Sequence, residues 1–178
     1  DPEPPVHENL NDYIIKAVQS RNLRWFSFFL HHYENRLNGR VRRFLLREGL
    51  DRYDPERFLD YKMGCVLAML DCLREYNPTQ GADFLTYAHH FIGNALLTCR
   101  MQEEAGSFEN VDEYKAVRGI AWLYNQSGQS EQAAIQKYAQ KNGCTEETAA
   151  KFLALAKQNR SRVPFYQTIQ DEDSEETG

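Results

Sequence analysis

Apolar residues recur at intervals of three and four along most of this chain, and no segment holds the strict alternation of a half-buried strand. The pattern predicts an all-α fold. Phe26, Leu30, Tyr33, Leu37, Val41 and Phe44 mark one side of a long helix over 23–47. Gly39 is a candidate for a kink or break there, because glycine costs about 1 kcal/mol against alanine in a helix interior. Asp54-Pro55 reads as the next helix start, an acidic cap followed by proline at the first helical position, and the periodicity carries that helix to Tyr76. Asn77-Pro78-Thr79-Gln80-Gly81 then predicts a turn, and a further helix covers 83–102.

Beyond that helix the pattern breaks. Glu103 to Asn110 is acidic and contains Gly106 and Ser107, which predicts a joint between two helical units. Asn110 with Glu113 forms a capping pattern for a helix over 111–126, and Ser130 and Thr145 predict the caps of two more, separated by a tight Asn142-Gly143 turn. The last pair has the spacing of a helix-turn-helix. After Pro164 the apolar period ends, and 170–178 is an acidic tail with too little apolar content to fold. The expected organisation is an N-terminal segment over 1–20, a helical domain over 21–104, a three-helix domain over 105–164 and an acidic segment over 165–178.

With 178 residues, 42% of them apolar and 26% charged, the chain has room and composition for one globular domain or two small ones. The longest apolar stretch, Cys65 to Leu70, is far below the ~18 residues a helix needs to cross lipid. The start, Asp1-Pro2-Glu3-Pro4-Pro5, has neither the basic nor the apolar region of a signal peptide. Cys65, Cys72, Cys99 and Cys144 contain no C-x-x-C and form no disulfide framework, so reduced thiols in a cytoplasm are expected. The net charge of -5 is unevenly spread: nine arginines face five acids between Arg21 and Arg57, while 101–113 and 171–178 each hold five acids and no base. A basic face able to follow phosphates is compatible with that distribution.

Signatures of catalysis are missing. The sequence has no Gly-rich phosphate loop, no H-E-x-x-H, no G-x-S-x-G and no His/Cys cluster at zinc spacing, so a non-enzyme without metal or cofactor is expected. His31-His32 and His89-His90 are adjacent pairs whose members point about 100° apart on a helix. Cys65 and Cys72 share a helical face as packed core thiols do. Glu103-Glu104 and Glu146-Glu147 suit solvation or helix-dipole support. The informative stretch is Phe84-Leu85-Thr86-Tyr87-Ala88-His89-His90-Phe91-Ile92. Its aromatic residues suit a packed core or a platform on which unpaired bases stack. A platform needs accessible rings on a packed support, which predicts exposed Tyr87 and His90 beside Asn94 over buried Phe84 and Ile92.

Here the chain resembles the sigma-70 family of bacterial RNA polymerase sigma factors, over regions two and three. The anchor is Tyr76-Asn77-Pro78-Thr79-Gln80-Gly81-Ala82-Asp83-Phe84-Leu85-Thr86-Tyr87-Ala88, which is similar to the family's F-D-P-x-x-G-x-x-F-x-T-Y-A. Upstream, Asp60 to Leu70 is similar to the D-L-x-Q-E-G-x-x-G-L helix; downstream, Ile135 to Leu153 resembles the region-three helix-turn-helix, and Thr168 to Glu175 the acidic linker to a region four that this chain lacks.

The resemblance implies a transcription initiation factor that docks on the clamp of core RNA polymerase and melts the minus-ten promoter element, holding the non-template single strand; an anti-sigma factor is a further possible partner. It places Phe84 and Tyr87 in the pocket of a flipped base, His90 and Phe91 at the positions of two fork-wedging tryptophans, Thr86 at the family threonine, and Asn94 and Leu97 where upstream base pairs are read. Asp60, Met63, Gly64, Val66 and Leu70 fall on the polymerase-binding helix. Two other readings stay open: a sigma-like interaction or regulatory module that no longer melts promoters, and a duplex-binding regulator that reads DNA through the helix after Thr145.

Overall fold

The computed structural model describes residues 10–104 and 108–159, and every regular element among them is helical. The helices are α1 (Leu10–Gln19), α2 (Phe26–Arg47), α3 (Pro55–Leu73), α4 (Phe84–Glu103), α5 (Val111–Gln126), α6 (Glu131–Asn142) and α7 (Glu146–Gln158), with short 3-10 turns at Leu23–Trp25 and Pro78–Gln80. The fold class is all-α. The chain divides into two compact units, Asp1–Cys99 and Arg100–Gly178, so the division falls in the last turn of α4. The joint expected near Gly106 and the acidic segment over 165–178 lie outside the described residues.

In the first unit, Phe29, Tyr33, Leu37, Val41 and Phe44 of α2 are fully buried, with Tyr61, Cys65 and Met69 of α3 and Phe84, Ala88 and Ile92 of α4. Each large side chain among them contributes about 1.5–3 kcal/mol relative to exposure. Two details of α2 differ from the sequence expectation. Phe29 rather than Phe26 starts the buried face, and the helix runs unbroken through Gly39. Asp54 caps α3 by accepting hydrogen bonds from the backbone N–H groups of Glu56 and Arg57. α3 ends at Leu73, not Tyr76; the chain then leaves the helix and turns Tyr76 back into the core.

The N-terminal segment holds a helix that its sequence pattern alone does not mark. Alone, the 10 residues of α1 are too short to be stable. Packing supplies what length does not: Ile14, Ile15 and Val18 are buried, Asn11 Nδ2 donates to the Tyr33 hydroxyl at 2.9 Å, and Gln19 Nε2 donates to the carbonyls of Leu73 and Tyr76.

The second unit is a three-helix bundle. Ile120 and Leu123 of α5, Ala134, Tyr138 and Ala139 of α6, and Ala149 and Leu153 of α7 form its core. Asn110, Ser130 and Thr145 each accept a hydrogen bond from the backbone N–H three residues on, as their capping patterns predict. Gly143, at φ +64°, closes α6 in the left-handed conformation that glycine adopts without steric cost.

Candidate nucleic-acid interface

The turn before α4 fixes how that helix is presented. Asn77 Oδ1 accepts hydrogen bonds from Thr79 N at 3.0 Å and Thr79 Oγ1 at 2.6 Å. Gly81 then reverses the chain at φ +82°, a conformation costly for any residue with a Cβ. The Tyr76 hydroxyl donates to the Ala82 carbonyl across the turn. Asp83 accepts from Leu85 N at 3.2 Å, so its carboxylate caps α4 while also meeting Arg36 at 3.6 Å.

From this turn a ladder of rings climbs from core to surface. Phe84 is fully buried, edge-on to Phe29 at 4.9 Å and to Tyr76 at 5.3 Å between ring centroids. Tyr76 in turn lies 5.2 Å from half-buried Tyr87, which lies 5.8 Å from Phe91, 45% exposed. Thr86 and His90 are exposed, and Asn94 is half-buried. At about 100° per residue, Thr86, Tyr87, His90 and Asn94 share one outward arc of α4, with Phe91 at its edge. The arrangement offers accessible π-faces on a packed aromatic foundation.

Two residues assigned to DNA by the resemblance are not available to it. Phe84 is enclosed by Phe29, Tyr33 and Tyr76, so no base can reach its face. Leu97 is buried and carries no hydrogen-bonding side chain, so it reads no base edge. Tyr76, absent from the expected set, supports Tyr87 from below. Its position as the first aromatic of the anchor motif was the available signal.

The proposed polymerase-binding set on α3 also divides. Asp60 is exposed and Met63 is 52% exposed, whereas Val66 is core and Leu70 is half-buried. Gly64 faces α4, where an added Cβ would stand 2.8 Å from Cys99 Sγ. Val66 and Gly64 are therefore packing positions. The outward apolar stripe is Leu59, Met63 and Leu67, at 55, 52 and 58% exposure, which are successive i, i+4 positions on one face.

In the second unit α7 presents Glu146 and Glu147 at its exposed start, with Lys151 paired to Glu147 at 3.8 Å. Carboxylates at that end repel phosphates. Lys157 pairs with Glu131 and lies over the Tyr124 ring at 5.6 Å, which ties α7 to α6 and α5 rather than offering it to a ligand. Near the start of α5, the Tyr114 hydroxyl donates to Glu104 at 2.9 Å and accepts from Arg118 at 3.3 Å, while Arg100 meets Glu104 at 2.8 Å. Burial raises the Tyr114 phenol well above its ordinary range.

No family model, curated protein or solved structure matches this chain. Among the described residues, no helix is long and apolar enough to cross a membrane.

Proposed function

We propose that this chain is a sigma-like transcription initiation factor, in which α3 docks on core RNA polymerase and α4 receives an unpaired promoter base. The observation that carries the reading is the ring ladder. A buried phenylalanine and tyrosine support Tyr87 and Phe91 at the surface, with exposed His90 on the same helix, beginning at the one turn whose sequence resembles the sigma-70 anchor. Stacking on such a face contributes about 1–3 kcal/mol per base and tolerates any base, while Asn94 keeps an amide able to address adenine. Thr86 and Asn94 border the rings on the same arc.

Docking through α3 rests on Leu59, Met63 and Leu67, which leave an apolar stripe in water beside the Asp60 carboxylate. A stripe of that kind is costly to expose and suits the middle of an interface. Polymerase then holds the strands apart, so that Tyr87 meets a base already strained out of the stack. The acidic start of α7 disfavours the competing reading of a duplex-binding regulator.

The test has two arms. The chain is co-purified with bacterial core polymerase, and the complex is titrated with fluorescent minus-ten non-template single strand. Retention together with a loss of about 1–3 kcal/mol in single-strand affinity for Tyr87→Ala and for His90→Ala supports the proposal. Retention without Tyr87-dependent binding leaves an interaction module. A tight duplex complex formed without polymerase refutes the sigma-like reading.

A further inference from the structure

The stacking face lacks its own cations. Along the whole of α4 the only basic residue besides the histidines is Arg100, and Asp83 stands at the start of the helix. The missing positive charge lies on the neighbouring helix: Arg36, Arg40, Arg43 and Arg47 follow the i, i+4, i+7, i+11 spacing of a single stripe along α2. At 1.5 Å per residue the stripe is about 16 Å long.

Contacts tie this stripe to the start of α4. Arg36 meets the Asp83 carboxylate at 3.6 Å with both side chains largely in solvent, and its guanidinium lies 5.1 Å over the Tyr33 ring. Arg40 donates to the His89 carbonyl at 2.8 Å. Arg43 is exposed, its guanidinium over Gly39, where an added Cβ would stand 3.6 Å from it. The His89 ring is 5.4 Å from that of His90, and around α4 His90 falls between His89, whose carbonyl Arg40 holds, and Tyr87.

We infer that the arginine stripe of α2 is the backbone track for the nucleic acid whose bases stack on α4: the phosphates of a single strand run along the exposed Arg36 and Arg43, while half-buried Arg40 holds the stripe to α4, and the strand crosses His90 to lay its bases on Tyr87 and Phe91. The inference rests on the reading of α4 as a base platform and assigns the phosphate contacts to a different helix. It also gives Asp83 a definite part. The carboxylate that caps α4 competes with phosphate for Arg36, since an exposed ion pair of this kind is worth little and exchanges readily.

The experiment is a salt titration of the full chain with a short fluorescein-labelled oligothymidine between about 50 and 200 mM salt, where each neutralised single-strand phosphate contributes about 0.7 to the slope of log affinity against log salt. Arg36→Gln and Arg43→Gln are each expected to lower the slope by about 0.7 while leaving the thermal unfolding of the chain unchanged. Tyr87→Ala is expected to weaken binding about 5- to 150-fold at unchanged slope. Asp83→Asn keeps the cap, frees Arg36 and tightens binding, an outcome that damage to the fold cannot imitate. Binding that needs Tyr87 but keeps its slope in both arginine variants overturns the track and leaves the platform. A slope that falls in the arginine variants without any effect of Tyr87→Ala keeps the track and overturns the platform. Absence of single-strand binding at the lowest salt overturns both.

Discussion

Tyr87 rests on Tyr76, their ring centroids 5.2 Å apart, and Tyr76 is itself tied to the turn before α4 through its hydroxyl on the Ala82 carbonyl. The surface ring therefore inherits its position from a turn it does not belong to. Tyr76→Phe keeps the ring and removes the tie, and is expected to cost about 1 kcal/mol of stability in the first unit. Single-strand affinity should fall with it by less than in Tyr87→Ala. Urea unfolding and fluorescence titration of the same two variants check the pair of effects.

Gly64 is expected to report the closeness of α3 and α4. In Gly64→Ala the new methyl meets Cys99 Sγ, and overpacking of this kind costs about 1–3 kcal/mol, against a gain of about 1 kcal/mol in helix propensity. Combined with Cys99→Ala, the clash disappears and the propensity gain remains. A double-mutant cycle by chemical denaturation should give a favourable coupling of about 1 kcal/mol or more; additive effects would show that the two helices are not in contact at this point.

The outward stripe of α3 and its inward neighbour should separate docking from folding. Leu67→Asp, at an exposed position, is expected to leave the unfolding free energy within about 0.5 kcal/mol of the parent while abolishing retention on polymerase. Val66→Asp buries an unpaired carboxylate and should unfold the first unit. Circular dichroism melts beside co-elution assays distinguish the two.

Alkaline pH should weaken the first unit before the second. Burial pushes the Cys65 thiol up to about 12 from an ordinary value near 9, and the Tyr33 phenol up to about 12 from near 10. Between the unfolded and folded values the unfolded chain holds fewer protons than the native one, so stability is complete below about pH 9 and falls as pH rises, by as much as about 1.4 kcal/mol per pH unit for each group. Denaturation midpoints at pH 8, 9.5 and 10.5 should decline accordingly, and Cys65→Ala should make the decline shallower.

Much of this architecture is legible in the sequence where a residue acts on its own neighbours. Asp54, Asn110, Ser130 and Thr145 each cap a helix through a bond to a backbone N–H two or three residues on, and such bonds depend only on local spacing. α1 was hidden because its stability comes from burying Ile14, Ile15 and Val18 in the rest of the unit, although their spacing was a usable sign. α3 misled for a different reason. Cys65-Val66-Leu67-Ala68-Met69-Leu70 is apolar all round, so periodicity cannot say that Val66 turns inward and Leu67 outward. At α4 the alternatives of core and platform were both true, divided between Phe84 and Tyr87, a division set by tertiary neighbours on α2 and at Tyr76.

The distribution of thiols gives the molecule a built-in gauge of local opening. Cys65 is sealed in the first unit and can be labelled by a disulfide reagent only when that unit opens, whereas Cys144 stands half-exposed at the α6–α7 turn of the second. With Cys72 and Cys99 replaced, the labelling rate at Cys65 measures the free energy of opening the first unit, and the rate at half-exposed Cys144 serves as a reference from the second unit in the same sample. A ligand for α4 would slow the first rate and leave the second untouched. The native cysteines can thus report which half of the chain a partner engages, without any dye placed on the surface under study.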